Sequence, residues 1–234
     1  MVMRPFTVYD CAQRSPDWFA VRLGRLSGSR AADAFGTTKA GAFTAERKNL
    51  RTQLVLERLT GQSAERPVSG YQVRDGIARE PFARFHYEVV TGQLVREVGF
   101  CADNDAPIGC SPDGVIGDFE GLVSIKCPLA ATHLASLKML RHPDPVVAVR
   151  GNLFKSTTLV VPDEYLWQIC HELYVTGASW CDYLSYDASF PVGLQSVIVR
   201  VLREDVDLAA YERDVQTFLA EVDAEYVKVK GWAA

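Results

Sequence analysis

The sequence predicts an α/β (α+β) fold in which helices flank a central mixed β-sheet, and three observations predict it. Helical periodicity with recognisable end signals runs through both halves of the chain. The middle of the chain changes to short, β-rich stretches separated by turns. Two further strand-like runs, WCDYLSYD and LQSVIVRVL, follow the helical segment DEYLWQICHELYVTG. With 234 residues and 48% hydrophobic content the chain can bury one sizeable core, so a single domain over 1–234 is expected.

The elements are read in order. Ser15-Pro16-Asp17 supplies an N-cap, a first-turn proline and a first-turn acid for a short helix to about Leu23, which Gly24 ends. A second short helix starts after Ser27 or Ser29. Thr44 caps a longer one, with Leu50, Leu54 and Leu59 on one stripe and Gly61 just past its end. Another runs from about Val73 to Val90 and closes at Gly92. Pro81 lies inside it, where the lost hydrogen bond needs compensation. LVREVGF, PIGCSPDGVIG and GLVSIKC then read as strands, with DNDAP and GDFEG as the turn signals between them. A helix from about Ala130 to Leu140 precedes the one that ends at Gly177, and the last helix spans about Val206 to Val229.

The formal net charge is -4, so a nucleic-acid partner cannot be argued from total charge and needs a local basic track. Cys11, Cys101, Cys110, Cys127, Cys170 and Cys181 form no CxxC pair, and no histidine stands at zinc-finger spacing. Free, mostly buried thiols in a reducing compartment are expected. MVMRPFTVYD has no apolar h-region of a signal peptide, and no apolar run approaches the roughly 20 residues of a membrane span. A cytoplasmic protein with no membrane partner is the expectation.

The chemistry concentrates in GCSPDGVIGDFEGLVSIKCP. Asp113 follows Ser111-Pro112 at a turn, and Lys126 comes thirteen positions later in a strand. There Val123, Ile125 and Cys127 alternate with Ser124 and Lys126, so 124 and 126 share a face while the apolar three point to the core. A hairpin joining the segments brings Asp113 beside that shared face. A hard-oxygen site for Mg²⁺ with a lysine beside it, to orient water or stabilise charge, needs this geometry.

These residues resemble a known family. SPDG, followed by a strand of (D/E)xK type and CP, is similar to the catalytic core of the lambda-type phage exonucleases and related viral recombinases of the PD-(D/E)XK nuclease superfamily. WFAVRLGRLSGS resembles their W-x-x-x-R-x-G-x-[IL]-[ST]-x-S signature. GIAREPFAR resembles their G-x-x-x-E-P-x-A-R helix and accounts for Pro81. YLWQICHELYVTG resembles their Y-x-x-Q-x-Q helix, with Cys170 at the second glutamine. The four motifs stand in the family's order across roughly residues 16 to 187.

The resemblance implies a restriction-endonuclease-like core and a 5′-to-3′ exonuclease, a hydrolase of phosphodiesters that uses Mg²⁺, or Mn²⁺ in its place, on double-stranded DNA ends. It further implies a homotrimer and a single-strand annealing recombinase as partner, in phage-type recombination in a bacterial host cell. Asp113, the Ser124 position and the Ile125 backbone carbonyl take the metal positions. Lys126, Asp113, Glu80, Gln168 and again Ser124 are the catalytic candidates. Arg22 and Ser29 match the positions that hold the 5′-phosphate, for which a guanidinium fork and a helix start are suited. One departure is serious: Ser124 stands where the metal-binding glutamate belongs, and a neutral hydroxyl is a poor Mg²⁺ ligand. The chain is therefore expected to be slow or inactive, and Ser124→Glu to switch it on. A DNA-end-binding module without catalysis and a PD-(D/E)XK endonuclease are the alternatives.

Plainer roles stand beside these. Asp113 could cap its turn, Lys126 could be a solvated strand residue, and Glu80 and Gln168 could be helix-surface side chains. Arg22 could pair with an acid such as Asp17. Arg30, Arg47, Lys48 and Arg51 fit a DNA track or a solvated helix face equally. His133, His142 and His171 have no metal spacing, and Trp18 is expected in the core.

Overall fold

The fold is taken from a computed structural model that describes residues 5–38, 40–65, 70–140 and 161–233. Its eight strands form two sheets among the described residues, not one. The first contains β1 (Phe6–Tyr9), β2 (Leu26–Ser27), β3 (Phe100–Asp103) and β4 (Ile108–Cys110) in the order β1-β3-β4-β2. The second contains β5 (Gly114–Ile116), β6 (Gly121–Lys126), β7 (Trp180–Tyr186) and β8 (Ser196–Leu202) in sequence order. Each sheet is mixed: β2 runs parallel to β4 and β6 runs parallel to β7.

The expected strand PIGCSPDGVIG is thus divided. It ends in one sheet at Cys110 and resumes in the other at Gly114, because Pro112 has no N–H to continue a ladder. LVREVGF is likewise mostly irregular: only Arg96 bridges, to Val115, and β3 begins at Phe100. β1 was not expected. Of its four residues only Phe6 is buried, so the alternation that marks a strand is missing.

The helices are α1 (Pro16–Arg22), α2 (Ala31–Phe35), α3 (Ala45–Thr60), α4 (Tyr71–Thr91), α5 (Ala130–Leu140), α6 (Asp163–Thr176) and α7 (Leu208–Lys230). Ser15 caps α1, its side chain accepting from the Trp18 N–H at 3.2 Å. Gly24, at φ +67°, turns the chain directly after it. Two details of α3 differ from expectation. The Thr44 side chain makes no capping bond, and Leu59 is 38% exposed. The buried stripe is Arg47, Leu50, Leu54, Val55 and Glu57: α3 packs on α7 through ion pairs as well as apolar contact, while Glu57 accepts the Gly24 and Ala64 N–H groups at 2.9 and 3.2 Å. Arg47 reaches Glu221 at 2.7 Å, Arg51 reaches Glu225 at 2.5 Å, and Arg58 reaches Asp223 at 2.5 Å. Helix α4 continues through Pro81, which leaves the Ile77 carbonyl without its helical donor.

Strand β6 is the element that positions the site. Val123 and Ile125 pack beneath α4 against Ala83 and Tyr87, as the alternation predicts. Its opposite face is not open as that alternation implied. Leu122 joins the larger core with Leu166, Ile169 and Leu173 of α6, and Ser124 is 0% exposed. A strand between two neighbours and covered on both faces is a buried strand, so its polar positions are buried too. Arg79 of α4 donates to the Cys127 carbonyl at 2.8 Å and ties down the end of β6.

His133 and His171 are core groups with partners. His133 contacts Ser185 Oγ and the Leu194 carbonyl, while His171 contacts the Tyr211 hydroxyl and the Gly109 carbonyl. His142 lies outside the described residues. All six cysteines are free, with Cys11 and Cys127 only partly buried. Among the described residues no helix is long and apolar enough to cross a membrane.

Candidate active site

Asp113 sits between β4 and β5, and its carboxylate turns onto β6. Its Oδ2 accepts the Ile125 N–H at 2.7 Å and lies 3.5 Å from Lys126 Nζ. The turn-capping and metal-site readings of Asp113 therefore meet in one geometry: a backbone hydrogen bond holds the carboxylate beside the lysine. Lys126 Nζ also donates to Gln168 Oε1 at 3.2 Å and lies 5.2 Å from the Tyr165 ring centroid. Burial pulls its pKa down, but Asp113 and then Glu172 outweigh that and leave it raised, so the lysine is charged.

Gln168 passes the network on. Its Nε2 donates to Glu172 Oε1 at 2.8 Å. Glu172 is 1% exposed, and its Oε2 is buried with no hydrogen-bond partner among the described residues. Burial, and then the neighbouring Asp113 carboxylate, push its pKa up to about 8, against the smaller pull of Gln168 and Lys126. The sequence reading did not single Glu172 out. The signal was present in its spacing: Tyr165, Gln168 and Glu172 stand at i, i+3 and i+7, one stripe of a helix.

Glu80 of α4 joins the same region, held by Arg14 at 3.3 Å. Its pKa is raised, first by burial and then by Asp113. A cleft of about 1410 Å³ is lined by Arg22, Ser29, Glu80, Asp113, Lys126 and Gln168, with Ile125 and Glu172 also on its wall. All the predicted side chains therefore gather in one place except Ser124, which is fully buried and whose Oγ has no partner among the described residues.

Arg22 does not pair with Asp17. Its Nη2 donates to Glu65 Oε1 at 2.7 Å and to Ser27 Oγ at 3.2 Å, and the guanidinium stacks 3.9 Å from the Trp18 ring centroid. Trp18 is accordingly not a core residue: it is half-buried on the cleft wall, and its Nε1 donates to Ser111 Oγ at 2.8 Å. Ser29 is exposed beside it, with its Oγ 3.5 Å from Ser27 Oγ. Of the four cations weighed as a DNA track, Arg30 and Lys48 line the cleft, whereas Arg47 and Arg51 are committed to α7.

Among the described residues no group of three His, Cys, Asp or Glu side chains is gathered for a metal. Mg²⁺ needs fewer, since it binds through one or two carboxylates and completes its shell with water and substrate phosphate. The hard-oxygen donors on this wall, Asp113 and the partnerless buried oxygen of Glu172, fit such a cation.

A family model described as YqaJ-like viral recombinase domain matches residues 17–179. Three solved structures are similar. LHK-Exo in complex with dAMP is 34% identical with a TM-score of 0.77, and the match covers 94% of this chain and 98% of that one. The alkaline exonuclease LHK-Exo from Laribacter hongkongensis is 35% identical with a TM-score of 0.75 and the same coverage, 94% and 98%. A phage related exonuclease from Haemophilus somnus 129PT is 13% identical with a TM-score of 0.60, covering 90% and 96%, and so shares the fold. No curated protein matches the sequence.

Proposed function

Because the chain belongs to the YqaJ-like viral recombinase domain family, we propose that it is a phage-type exonuclease, one nuclease domain over 1–234, that degrades double-stranded DNA from an end in the 5′-to-3′ direction. The observation that carries this reading is the convergence of Asp113, Lys126 and Gln168 with Arg22 and Ser29 on one cleft. A divalent cation, Mg²⁺ or Mn²⁺, supplies Lewis-acid polarisation of the phosphate and activation of water when bound.

The chain's own residues do the rest. Lys126 keeps its charge between Asp113 and Gln168 and stabilises the negative charge that develops on the scissile phosphate. Gln168 fixes the direction of the ammonium. Glu80, tethered by Arg14 on the cleft wall, is placed to position water there. Arg22 and Ser29 grip the 5′-phosphate and set the polarity of digestion. The relative whose structure contains dAMP, a deoxynucleoside monophosphate, supports a nucleotide-binding cleft in this fold.

Digestion of matched linear and covalently closed circular duplexes in Mg²⁺ tests the reading. The linear form is expected to disappear and the circle to survive. Cutting of the circle would make the chain an endonuclease, and if neither DNA is cut, binding of the uncut linear duplex would make it an end-binding module.

Arg22→Ala carries a second expected result. It should weaken action on 5′-phosphorylated ends by roughly ten- to a hundredfold, the equivalent of about 1.5–3 kcal/mol for a charged hydrogen bond. Ends with a 5′-hydroxyl should change far less, and comparing the two substrates within one variant removes any effect on folding. An equal loss on both would end the role. Glu65 occupies the guanidinium in the free chain, so a bound phosphate displaces it.

Assembly as a homotrimer, cooperation with a single-strand annealing recombinase and residence in the cytoplasm of a bacterial host complete the proposal. Helix α4 supports the first: Phe82, Phe85 and Val89 leave an exposed apolar stripe at helical spacing, continued by Val90 and Leu94. Light scattering at micromolar protein is expected to give three times the chain mass, and a monomer mass would remove the trimer.

A further inference from the structure

The proposed steps of hydrolysis give the buried carboxyl group of Glu172 no role, and Ser124 is the position where the family pattern lacks an acid. The two belong together. Lys126 of β6 touches Gln168 of α6, which sets the register of helix over strand. Two residues back along β6 is Ser124, about 6.6 Å away at strand rise. Four residues on along α6 is Glu172, about 6 Å away at helix rise. Ser124 shares its strand face with Lys126, and Glu172 shares its helix stripe with Gln168. The same step from the Lys126–Gln168 contact thus leads to Ser124 on one element and to Glu172 on the other. Asp113 closes the arrangement from the third side: β5 pairs with β6 at Gly114↔Val123, which places Asp113 alongside Ser124, and the Asp113 carboxylate accepts from Ile125 N–H.

The small side chains there are what make room. Ser124 is fully buried and its hydroxyl has no partner. On the far side Gly28 lies beside Glu172 and Gln168, and a Cβ there would make ordinary van der Waals contact with both, at 3.5 and 3.6 Å. Of the two Glu172 oxygens, Oε1 is held by Gln168, and Oε2 is buried without a partner on the wall of the cleft that contains Asp113. A carboxyl group enclosed in this way, with one oxygen left over, has the hard-oxygen donor chemistry that a divalent cation takes.

We propose that Glu172 supplies the second metal-binding carboxylate of this site from helix α6, in place of the strand acid that Ser124 does not provide. The chain is then a complete nuclease whose acid has moved from β6 to the helix above it. The proposal rests on the nuclease reading for its biological meaning, but its test does not.

The test measures Mn²⁺ binding to the free protein by calorimetry or by the electron paramagnetic resonance of the ion, alongside digestion of linear duplex and thermal melting. Glu172→Gln keeps the shape of the side chain and the contact with Gln168. It is expected to weaken Mn²⁺ binding roughly tenfold or more and to slow digestion at least as much, without lowering the melting temperature. Ser124→Glu alone is expected to help neither binding nor digestion, because it forces two carboxylates into one buried space. Ser124→Glu combined with Glu172→Ser returns one acid to the site and is expected to recover Mn²⁺ binding relative to Glu172→Gln.

Unchanged Mn²⁺ affinity in Glu172→Gln overturns the proposal. So does a gain in both Mn²⁺ binding and digestion from Ser124→Glu alone, which would mean that the parent chain lacks its ligand. If Mn²⁺ binding follows the expected pattern but the parent digests no DNA, the ligand assignment stands and the nuclease reading falls.

Discussion

Asp113→Asn is expected to reduce digestion of linear duplex by about a thousandfold or more, the loss of roughly 4 kcal/mol of transition-state stabilisation. The substitution preserves volume, and the asparagine oxygen can still accept the Ile125 N–H that holds Asp113 onto β6. What it removes is charge. Asp113 is the carboxylate 3.5 Å from Lys126, so its neutralisation takes away both the anionic donor for a cation and the partner that keeps the lysine charged in a buried setting. Duplex binding is expected to survive, because Arg22 and Ser29 lie on other elements, α1 and the turn before α2. Single-turnover digestion in Mg²⁺ reads the first effect, and a gel shift in Ca²⁺ reads the second. Activity within tenfold of the parent would mean that Asp113 only caps its turn.

The local signals of this chain were legible where function and secondary structure lie close in sequence. The Ser15 cap, the glycines that stop α3, α4 and α6, and the alternation along β6 all arise within a few residues of the groups they affect. Asp113 and Lys126 were found because one hairpin brings them together. What stayed hidden depends on packing between distant segments. Nothing near Arg22 announces Glu65, 43 positions away, and nothing near Arg47 announces Glu221, 174 positions away. The division into two sheets turns on Pro112, which a strand pattern alone passes over. Glu172 was obscured by its neighbours: in ICHELYVT it looks like the polar flank of an apolar helix, and only the placement of α6 over β6 turns it toward Asp113. Ser124 is legible as the wrong residue for a ligand, but a strand pattern shows only one element, whereas a site is a place in space that more than one element can reach.

Phe218→Ala is expected to cost about 3–5 kcal/mol of stability, the usual range for emptying a buried aromatic site. Phe218 is fully buried on α7, where its ring meets Phe35 of α2 at 6.3 Å. Phe35 in turn contacts Trp167 of α6 at 5.7 Å and Tyr211 of α7 at 5.3 Å, so the cluster ties the helix that carries Gln168 to the elements behind it. The cost is not only apolar. Arg47 is 5% exposed and its guanidinium lies between the Phe43 and Phe218 rings, at 4.0 and 4.9 Å, so truncation leaves a buried cation facing a void on one side. Such a loss is a large fraction of the ~5–15 kcal/mol that holds a domain folded. For a chain of this length it corresponds to a melting temperature lower by roughly 6–20 °C. Since the cluster does not line the cleft, digestion well below the new melting point is expected to run close to the parental rate. A fall of less than about 3 °C would show that the ring cluster contributes little to the core, and a normal melting temperature with lost digestion would place Phe218 in communication with the site instead.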